Sequence, residues 1–375
     1  MINFLPFVQR IYNSISFLTL CITFGFGLLA FVLMIISPGF LDGYPKLAIT
    51  DPESIKFILS FTIGGVFTLT VFSYTMVMDV LNRSIGNYSP RLVPLILRDK
   101  YHQVILGVTS GTIIYSLIMA IFISSKGFSE FPALAAPLAI LMGICSILLF
   151  IYFIHSVSQT IQVNYVLGKS FHNTRVQISQ LKSLPFTKIR MDRDTTHWKT
   201  TITMERCGYL NKIRLKKLVS ISGKERVEFK LLKKMGSFVM ENEPVLAVSK
   251  VPGKSLTRKI KRCISIDRAE AIEVVEVGFK HLVEVAVKAS SPAINDPGTA
   301  LTAIDYLTQL FVLRKQILEF DAVKSDKGGL LFFDLIPWEE LAEYCFLEME
   351  TYMKDDPILM KRIGQSKAMI YGRRS

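Results

Sequence analysis

Four long apolar runs dominate the first 155 residues, and short polar connectors separate them. A helix needs roughly 20 apolar residues to cross a bilayer, and each run reaches that length. None of the runs carries Lys, Arg or Glu in its middle. The pattern predicts a four-helix transmembrane domain over residues 1–155, with spans at about 16–37, 57–79, 103–123 and 132–155.

Beyond the fourth run the period of the apolar positions changes twice. Residues 156–204 read as a polar stalk and linker. From 205 to 250 apolar and polar residues alternate between glycine turns, which predicts a small β-barrel or sandwich module that includes a strand at Lys217–Ser222.

Residues 263–375 show helical spacing. Asp267 or Ser265 is placed to cap a first helix, a second is predicted over 297–319, and a strand at 330–335 precedes two more helices. The predicted fold class is therefore membrane α-helical, with four transmembrane helices, followed by a cytoplasmic α+β region that ends in a helical domain.

The composition is typical of a membrane protein, and the positions of the charged residues predict its orientation in the membrane. Hydrophobic residues make up 50% of the 375, and the mean hydropathy is +0.38. Lys and Arg are concentrated in the second connector, at Arg83, Arg91, Arg98 and Lys100, and after the fourth run. The positive-inside rule then predicts a multi-pass protein of the cytoplasmic membrane with both termini cytoplasmic.

The formal charge of +13 lies mostly after the membrane domain. Between 156 and 262 there are 23 Lys and Arg against seven acids. Such a stretch is attracted to anionic lipid by about 1 kcal/mol per nearby cation. Nucleic acid is the competing partner for this charge, but no nucleic-acid-binding motif accompanies it. The predicted partners are the lipid bilayer and anionic lipid headgroups, and not nucleic acid.

The cysteines and the catalytic motifs argue against metal sites and enzymes. The five cysteines are far apart in sequence, at Cys21, Cys145, Cys207, Cys263 and Cys345. They have neither disulfide-framework nor zinc-ligand spacing, so we predict no metal and no cofactor. Nucleophile-elbow, zincin, phosphate-loop and dinucleotide motifs are absent from the sequence, which favours a protein that is not an enzyme.

The stretch 291–299, Ser-Pro-Ala-Ile-Asn-Asp-Pro-Gly-Thr, is the most distinctive polar motif. Its proline breaks one helix and its Asp-Pro pair starts the next. The candidate ligand or interface residues are Ser291, Pro292, Asn295, Asp296 and Thr299. They could bind a small polar ligand at the helix N-terminus, or they could only cap a corner. Asp356-Pro357 repeats the Asp-Pro start, which favours capping.

Polar residues near the membrane edge form two further candidate groups. Ser89, Arg91, Arg98 and Asp99 in the second connector could contact lipid headgroups or the soluble region, or act only as topogenic charge. Asp79 and His155 lie near the ends of spans two and four, where ionisable residues are functional candidates. Glycine pairs at 64–65 and 107/111 permit close approach of helices.

Several landmarks together resemble one family of bacterial predicted inner-membrane proteins, classified only as a domain of unknown function. The matching elements are Ser89-Pro90-Arg91, Phe153-Ile154-His155 and the Ser-Pro-x-Ile-Asn-Asp-Pro-x-Thr-Ala signature that begins at Ser291. The chain departs from the family pattern at Ser156, where a second histidine is usual, and at Ala293, where glycine is usual. The resemblance implies a location in the bacterial inner membrane and no established activity.

The leading functional hypothesis is an oligomeric channel, pore or transport-related protein with a cytoplasmic regulatory domain. A homo-oligomer is the expected assembly. The alternatives are a membrane-anchored sensor or scaffold that binds a ligand or partner, and a membrane-bound hydrolase-type enzyme. The enzyme hypothesis requires Asn295, Asp296 and either His155 or His281 to meet in one cleft.

Overall fold

The chain folds into two compact units, as a computed structural model describes them. The structure describes residues 15–35, 49, 51–87, 100–126, 134–160, 163–190, 198–268 and 274–372. The four apolar helices belong to the first unit, called here the membrane unit. The residues from Val163 onward belong to the second, called here the C-terminal unit.

The membrane unit consists of four helices. They are α1 (Ile15–Ile35), α2 (Pro52–Asn87), α3 (Lys100–Lys126) and α4 (Ala135–Thr160). Each contains a segment of 19 to 28 residues that is long and apolar enough to cross a bilayer. The prediction of four membrane helices is therefore confirmed. The connectors, including the predicted span ends at 36–37 and 132–133, lie outside the described residues.

Two glycines bring α1 and α3 close together. A Cβ atom on Gly107 would lie 2.9 Å from Cβ of Ile22, and one on Gly111 would lie 2.8 Å from Cγ of Phe26. Small residues allow this approach because lipid tails provide no hydrophobic force that would press two helices together. Gly64 on α2 differs, because nothing described in the same chain comes within 4 Å of its Cβ position.

Two contacts of buried hydroxyl groups connect helices of the membrane unit. The buried Tyr115 hydroxyl on α3 donates to the Ala135 carbonyl at 3.0 Å. Thr112 of α3 and Ser146 of α4 lie 3.4 Å apart at their hydroxyl oxygens, and both are fully buried. These hydroxyls therefore connect α3 with α4 within one chain.

The C-terminal unit mixes helices and short strands. Its helices are α5 (Val163–Lys182), α6 (Leu215–Glu225), α7 (Lys254–Lys261), α8 (Val275–Ser290), α9 (Pro297–Lys315), α10 (Trp338–Met353) and α11 (Pro357–Tyr371). Its strands are β1 (Thr187–Ile189), β2 (Thr200–Thr203), β3 (Gly208–Ile213), β4 (Phe229–Leu231), β5 (Phe238–Val239), β6 (Pro244–Val248), β7 (Ile264–Asp267), β8 (Ala322–Lys324) and β9 (Leu330–Phe332).

The strands form two open sheets, which confirms the α+β class and corrects its barrel form. One sheet has the order β1-β8-β9-β4-β6-β2, and the other β5-β3-β7. The strands between 205 and 250 are thus divided between two sheets, and no closed barrel forms among the described residues. The parallel pairing of β4 with β9 places Phe229 beside Leu331. This long-range pairing has no signature in the local alternation of residues.

The strand predicted at Lys217–Ser222 is wrong, because these residues belong to α6. Leu218, Val219 and Ser222 are buried, and Lys216 and Lys217 are exposed. Buried positions at i, i+1 and i+4 fit the helical period, and this overrides the strand preference of the β-branched residues.

The helices of the C-terminal unit enclose an aromatic core. Phe311 of α9 lies with its ring centroid 4.5 Å from Phe279 of α8 and 5.8 Å from Phe346 of α10. Helix α5, which occupies part of the predicted stalk and linker, packs on α8 and α9. There Gly278 faces Thr174, and a Cβ on the glycine would lie 2.0 Å from Oγ1 of the threonine.

The predicted cap of the first soluble helix is wrong. Ser265 and Asp267 belong to β7 and pair with Lys212 and Tyr209 of β3, so their backbones are extended. Helix α8 begins only at Val275, and residues 269–273 lie outside the described residues.

Candidate functional site

The corner between α8 and α9 brings together the five candidate residues of the 291–299 motif. Ser291 ends α8 with extended backbone angles, φ −65° and ψ 147°. The chain then turns tightly: the Asn295 amide donates to the Ser291 carbonyl at 2.8 Å, and the Asp296 amide donates to the Ala289 carbonyl at 2.8 Å. The corner therefore closes through its own backbone.

Asp296 caps α9 with both carboxylate oxygens. Oδ1 accepts from the Thr299 backbone amide at 3.1 Å, and Oδ2 accepts from the Thr299 hydroxyl at 2.5 Å. These hydrogen bonds from the side chain and backbone of Thr299 lower the pKa of the Asp296 carboxyl. A negative charge thus occupies the positive end of the helix dipole and would repel an anionic ligand there.

Asn295 occupies the one left-handed position of the corner, with φ +49°. Asparagine tolerates this conformation better than other residues with a side chain. Its side chain is exposed and forms no hydrogen bond within the part of the chain that the structure describes. The Ser291 hydroxyl donates to the Lys288 carbonyl at 2.6 Å, and Pro292 is exposed.

The second Asp-Pro start in the chain has the same construction. Asp356 caps α11, and its Oδ1 accepts from the amides of Ile358 at 2.9 Å and Leu359 at 3.0 Å. Both aspartates precede a proline in the first helical turn. The hydrogen bonds of Asp296 are thus those of a helix cap, and ligand binding at this corner stays a prediction.

Substitutions at the corner separate a backbone role from a ligand role. We expect Asn295→Ala to cost about 1 kcal/mol, because alanine is strained at positive φ, and Asn295→Gly to be neutral or slightly stabilising. Asp296→Ala is expected to cost about 1 kcal/mol through loss of the cap, as is the control Asp356→Ala. Trp198 and Trp338, the two tryptophans, both belong to the C-terminal unit, so their fluorescence reports its unfolding. A functional loss in Asn295→Gly at full stability would contradict a purely structural corner.

The membrane-edge candidates lie on two different helices of the membrane unit. Asp79 is exposed at the end of the apolar segment of α2. His155 on α4 is also exposed, and its Nε2 lies 3.0 Å from the Gln159 side-chain nitrogen one turn later. Ser89, Arg91, Arg98 and Asp99 lie outside the described residues.

A polar cleft lies between α9 and α11, and it was not predicted from the sequence. It has a volume of about 230 Å³ and is lined by Asp305, Thr308, Gln309, Arg362, Gln365, Ser366 and Met369. Nε of Arg362 donates to Oδ1 of Asp305 at 2.6 Å, and the hydroxyls of Thr308 and Ser366 lie 2.5 Å apart. Polar residues at spacings of three and four could have indicated a polar side on each helix. The sequence does not show that these two polar sides face each other, which is visible only in the fold.

Metal ligands are not clustered within the described residues. No group of three or more His, Cys, Asp or Glu side chains within these ranges could hold a metal ion. The exposed Asp305 carboxylate is held by Arg362, and Asp296 is held by Thr299. The corner at 291–299 and the cleft between α9 and α11 both present hydrogen-bonding groups and charge at the surface of the C-terminal unit.

Four apolar helices followed by an α+β unit define an integral membrane protein. The chain belongs to the family described as Predicted membrane protein (DUF2254), whose model matches residues 12–368. The resemblance drawn from the sequence is thereby confirmed. No solved structure matches the chain.

The similar proteins are named as uncharacterized, so their names indicate no activity. The chain is 24% identical over 320 residues to uncharacterized proteins of Mycobacterium bovis and Mycobacterium tuberculosis. These alignments cover 81% of the chain and 60% of each relative, so the chain spans about three fifths of the length of the curated relatives it matches.

Proposed function

We propose that the chain is a subunit of an oligomeric channel or pore in the cytoplasmic membrane, and that its C-terminal unit regulates it. The observation that carries the proposal is a stripe on α2, made of Gly64, Thr68, Thr75 and Asp79, called here the α2 stripe. All four residues are exposed in the single chain. Intervals of four, seven and four residues place them on one side of the helix.

The opposite side of α2 is the side that packs inside the membrane unit. Ile55, Leu59, Val66, Thr70 and Ser73 are buried there. Interfaces between membrane helices are enriched in glycine and threonine, and ionisable residues in membrane helices face a bundle interior or a water-filled cavity. Exposure of the α2 stripe in one chain therefore supports contact with further copies, or with water, in an assembly.

The hydroxyls of the stripe are suited to a passive path. Thr68 donates to the Gly64 carbonyl and Thr75 to the Val71 carbonyl, each at 2.9 Å, so their oxygens remain able to accept hydrogen bonds. Among the described residues of the spans, the buried polar side chains are hydroxyls and His102. This composition favours a pore over a carrier that is driven by buried charges.

Planar-bilayer recordings of the purified full chain test the proposal. We expect conductance steps under voltage, tension or ligand, and we expect Gly64→Leu to abolish or strongly reduce them by filling the stripe. Gly25→Leu on α1 is the matched control, because nothing described lies within 4 Å of either glycine's Cβ position. Absence of conductance in the wild type under all three stimuli contradicts the pore.

A membrane-anchored sensor is the second candidate, and the α9–α11 cleft favours it. The cleft combines a carboxylate, a guanidinium, two amides and two hydroxyls, which suits a small polar ligand that has both donors and acceptors. A silent bilayer together with a ligand-induced rise in melting temperature, lost in Gln365→Ala, would favour this function over the pore.

The orientation of the chain is also a proposal, with both termini in the cytoplasm. Cys207 is exposed in the C-terminal unit, whereas Cys263 and Cys345 are buried. Burial raises the pKa of the Cys263 thiol, and it raises that of the Cys345 thiol to about 12, so neither presents a reactive thiolate.

We therefore predict that a membrane-impermeant maleimide labels Cys207 in inverted bacterial membrane vesicles and not in intact cells. Cys207→Ser should remove this labelling. Equal labelling of Cys207 from the outside of intact cells would reverse the proposed topology.

A further inference from the structure

Six exposed cations of the C-terminal unit lie on the helices α6 and α7 or next to their ends. They are Arg214, Lys216, Lys217, Lys254, Arg258 and Arg262, called here the basic surface. The six form no ion pair with any acid that the structure describes. Their charges are therefore available to an outside partner.

One backbone hydrogen bond and one ion pair connect the two helices of the basic surface or the residues next to them. The amide of Arg214, which precedes α6, donates to the Cys263 carbonyl just after α7, at 2.9 Å. Lys217 and Arg214 both act electrostatically on the Cys263 thiol. Nζ of Lys259 lies 3.2 Å from a carboxylate oxygen of Glu225, which joins α7 to the end of α6.

Each helix turns its apolar side inward and its cations outward. Ile260 of α7 is fully buried, and Lys254, Arg258 and Arg262 recur every fourth residue on another side of that helix. On α6, Leu218 and Val219 are buried while Lys216 and Lys217 are exposed. Two acids close to these helices have cationic partners, Glu225 with Lys259 and Glu205 with Lys261. The outward charge of the pair is therefore positive.

We propose that the basic surface docks on the headgroups of anionic phospholipids in the membrane that holds the chain. This inference requires membrane attachment by the four apolar helices and does not require that the protein conducts. Tethering keeps the lipid surface at high local concentration, so several weak contacts suffice. Each cation near an anionic leaflet raises the affinity on the order of fivefold, and the gain falls within a Debye length as salt increases.

The experiment measures the approach of the basic surface to lipid in the full chain. Ser220, exposed on α6 between the cations, is changed to cysteine in a chain whose exposed cysteines Cys21, Cys145 and Cys207 are serine. A dye on this cysteine transfers energy to a headgroup-labelled lipid in nanodiscs. The nanodiscs contain either phosphatidylcholine alone or phosphatidylcholine with phosphatidylglycerol.

We expect greater energy transfer in the anionic nanodiscs, and loss of the difference in about 1 M salt, where the Debye length is about 3 Å. Charge reversal by Lys216→Glu with Arg258→Glu should abolish the difference. The control Lys354→Glu with Lys361→Glu, two exposed lysines without a described ion pair, should preserve it. Tryptophan melting curves verify that both variants fold.

Three results would overturn the assignment. The first is equal transfer in the two lipid compositions, and the second is equal loss in the control variant. The third concerns a different anion: an RNA oligomer binds the full chain in phosphatidylcholine nanodiscs, its binding is lost in Lys216→Glu with Arg258→Glu, and anionic lipid has no effect. The wild-type salt dependence needs no variant, so the inference is testable even if charge reversal prevents folding.

Discussion

Gly278→Ala is expected to destabilise the C-terminal unit by about 2–3 kcal/mol, although alanine is ordinarily the better helix former. A Cβ at this position would lie 2.0 Å from Oγ1 and 2.9 Å from Cγ2 of Thr174 on α5. Thr174 is buried, and its hydroxyl donates to the Ser170 carbonyl at 2.8 Å, so a shift of this side chain would break that hydrogen bond or displace its neighbours. The steric cost exceeds the gain of about 1 kcal/mol in helix propensity.

Tryptophan-monitored thermal unfolding of the full chain measures this effect. Gly364→Ala in α11 is the matched control, because no described atom lies within 4 Å of its Cβ position and the change should stabilise the helix slightly. Thr174→Ala added to Gly278→Ala should recover part of the loss. Equal melting temperatures for Gly278→Ala and Gly364→Ala would mean that α5 does not pack on α8 in the manner described.

Arg314→Met is expected to cost about 1.5–3 kcal/mol, because it leaves the Ile336 carbonyl without its charged donor and removes a cation that acts on nearby carboxylates. Arg314 is 1% exposed at the end of α9, and Nη2 donates to the Ile336 carbonyl at 2.9 Å. Burial lowers the pKa of its guanidinium, and the carboxylates of Glu276, Glu319 and Glu339 act in the opposite direction. Methionine fills a similar volume but supplies neither the charge nor the hydrogen bond.

The pH dependence of the stability of Arg314→Met is a separate test of the electrostatic role of Arg314. Burial raises the pKa of the Glu276 carboxyl above its usual 4.5, and Arg314 is the first of the cations that oppose this rise. Removal of Arg314 raises the pKa of Glu276 further. A carboxyl group whose pKa is higher in the folded than in the unfolded state stabilises the folded state at pH values below the unfolded pKa. This stabilisation is lost as the pH rises toward the folded pKa.

Unfolding of Arg314→Met at about pH 5 and pH 8 tests the electrostatic explanation. The loss relative to wild type should be larger at pH 8, and Glu276→Gln in the same chain should remove the extra loss. Lys354→Met, at an exposed lysine, serves as the control and should change stability by less than about 0.5 kcal/mol. A loss that does not vary with pH would assign the cost of Arg314→Met to packing alone.

Local signals in the sequence were sufficient for the membrane helices and for the corner at 291–299. Length and hydropathy determine a membrane helix almost alone, because the bilayer core offers the backbone no hydrogen-bond partners. The breaks at Ser291-Pro292 and Asp296-Pro297 likewise depend on proline geometry and capping within a few residues. Both features were predicted because their causes are local.

Contacts between distant residues could not be predicted in this way. The pairing of Phe229 with Leu331 and the contact of Thr174 with Gly278 join segments about 100 residues apart. A single sequence does not record which surfaces meet, and the same holds for the cleft built from α9 and α11. The prediction for α6 was wrong for another reason. Its Val-Ser-Ile-Ser segment has a local preference for a strand, but burial of one side of the segment in the folded unit stabilises a helix.

Cross-linking between copies at the α2 stripe tests the central claim, assembly through that face, most directly. Thr68→Cys, in a chain whose exposed cysteines Cys21, Cys145 and Cys207 are replaced, should form cross-linked dimers in native membranes with a short thiol-reactive linker. Phe24→Cys on α1, another position exposed in the single chain, should cross-link much less. A Thr68→Cys chain that remains monomeric, or that cross-links no more than Phe24→Cys, contradicts assembly through the α2 stripe.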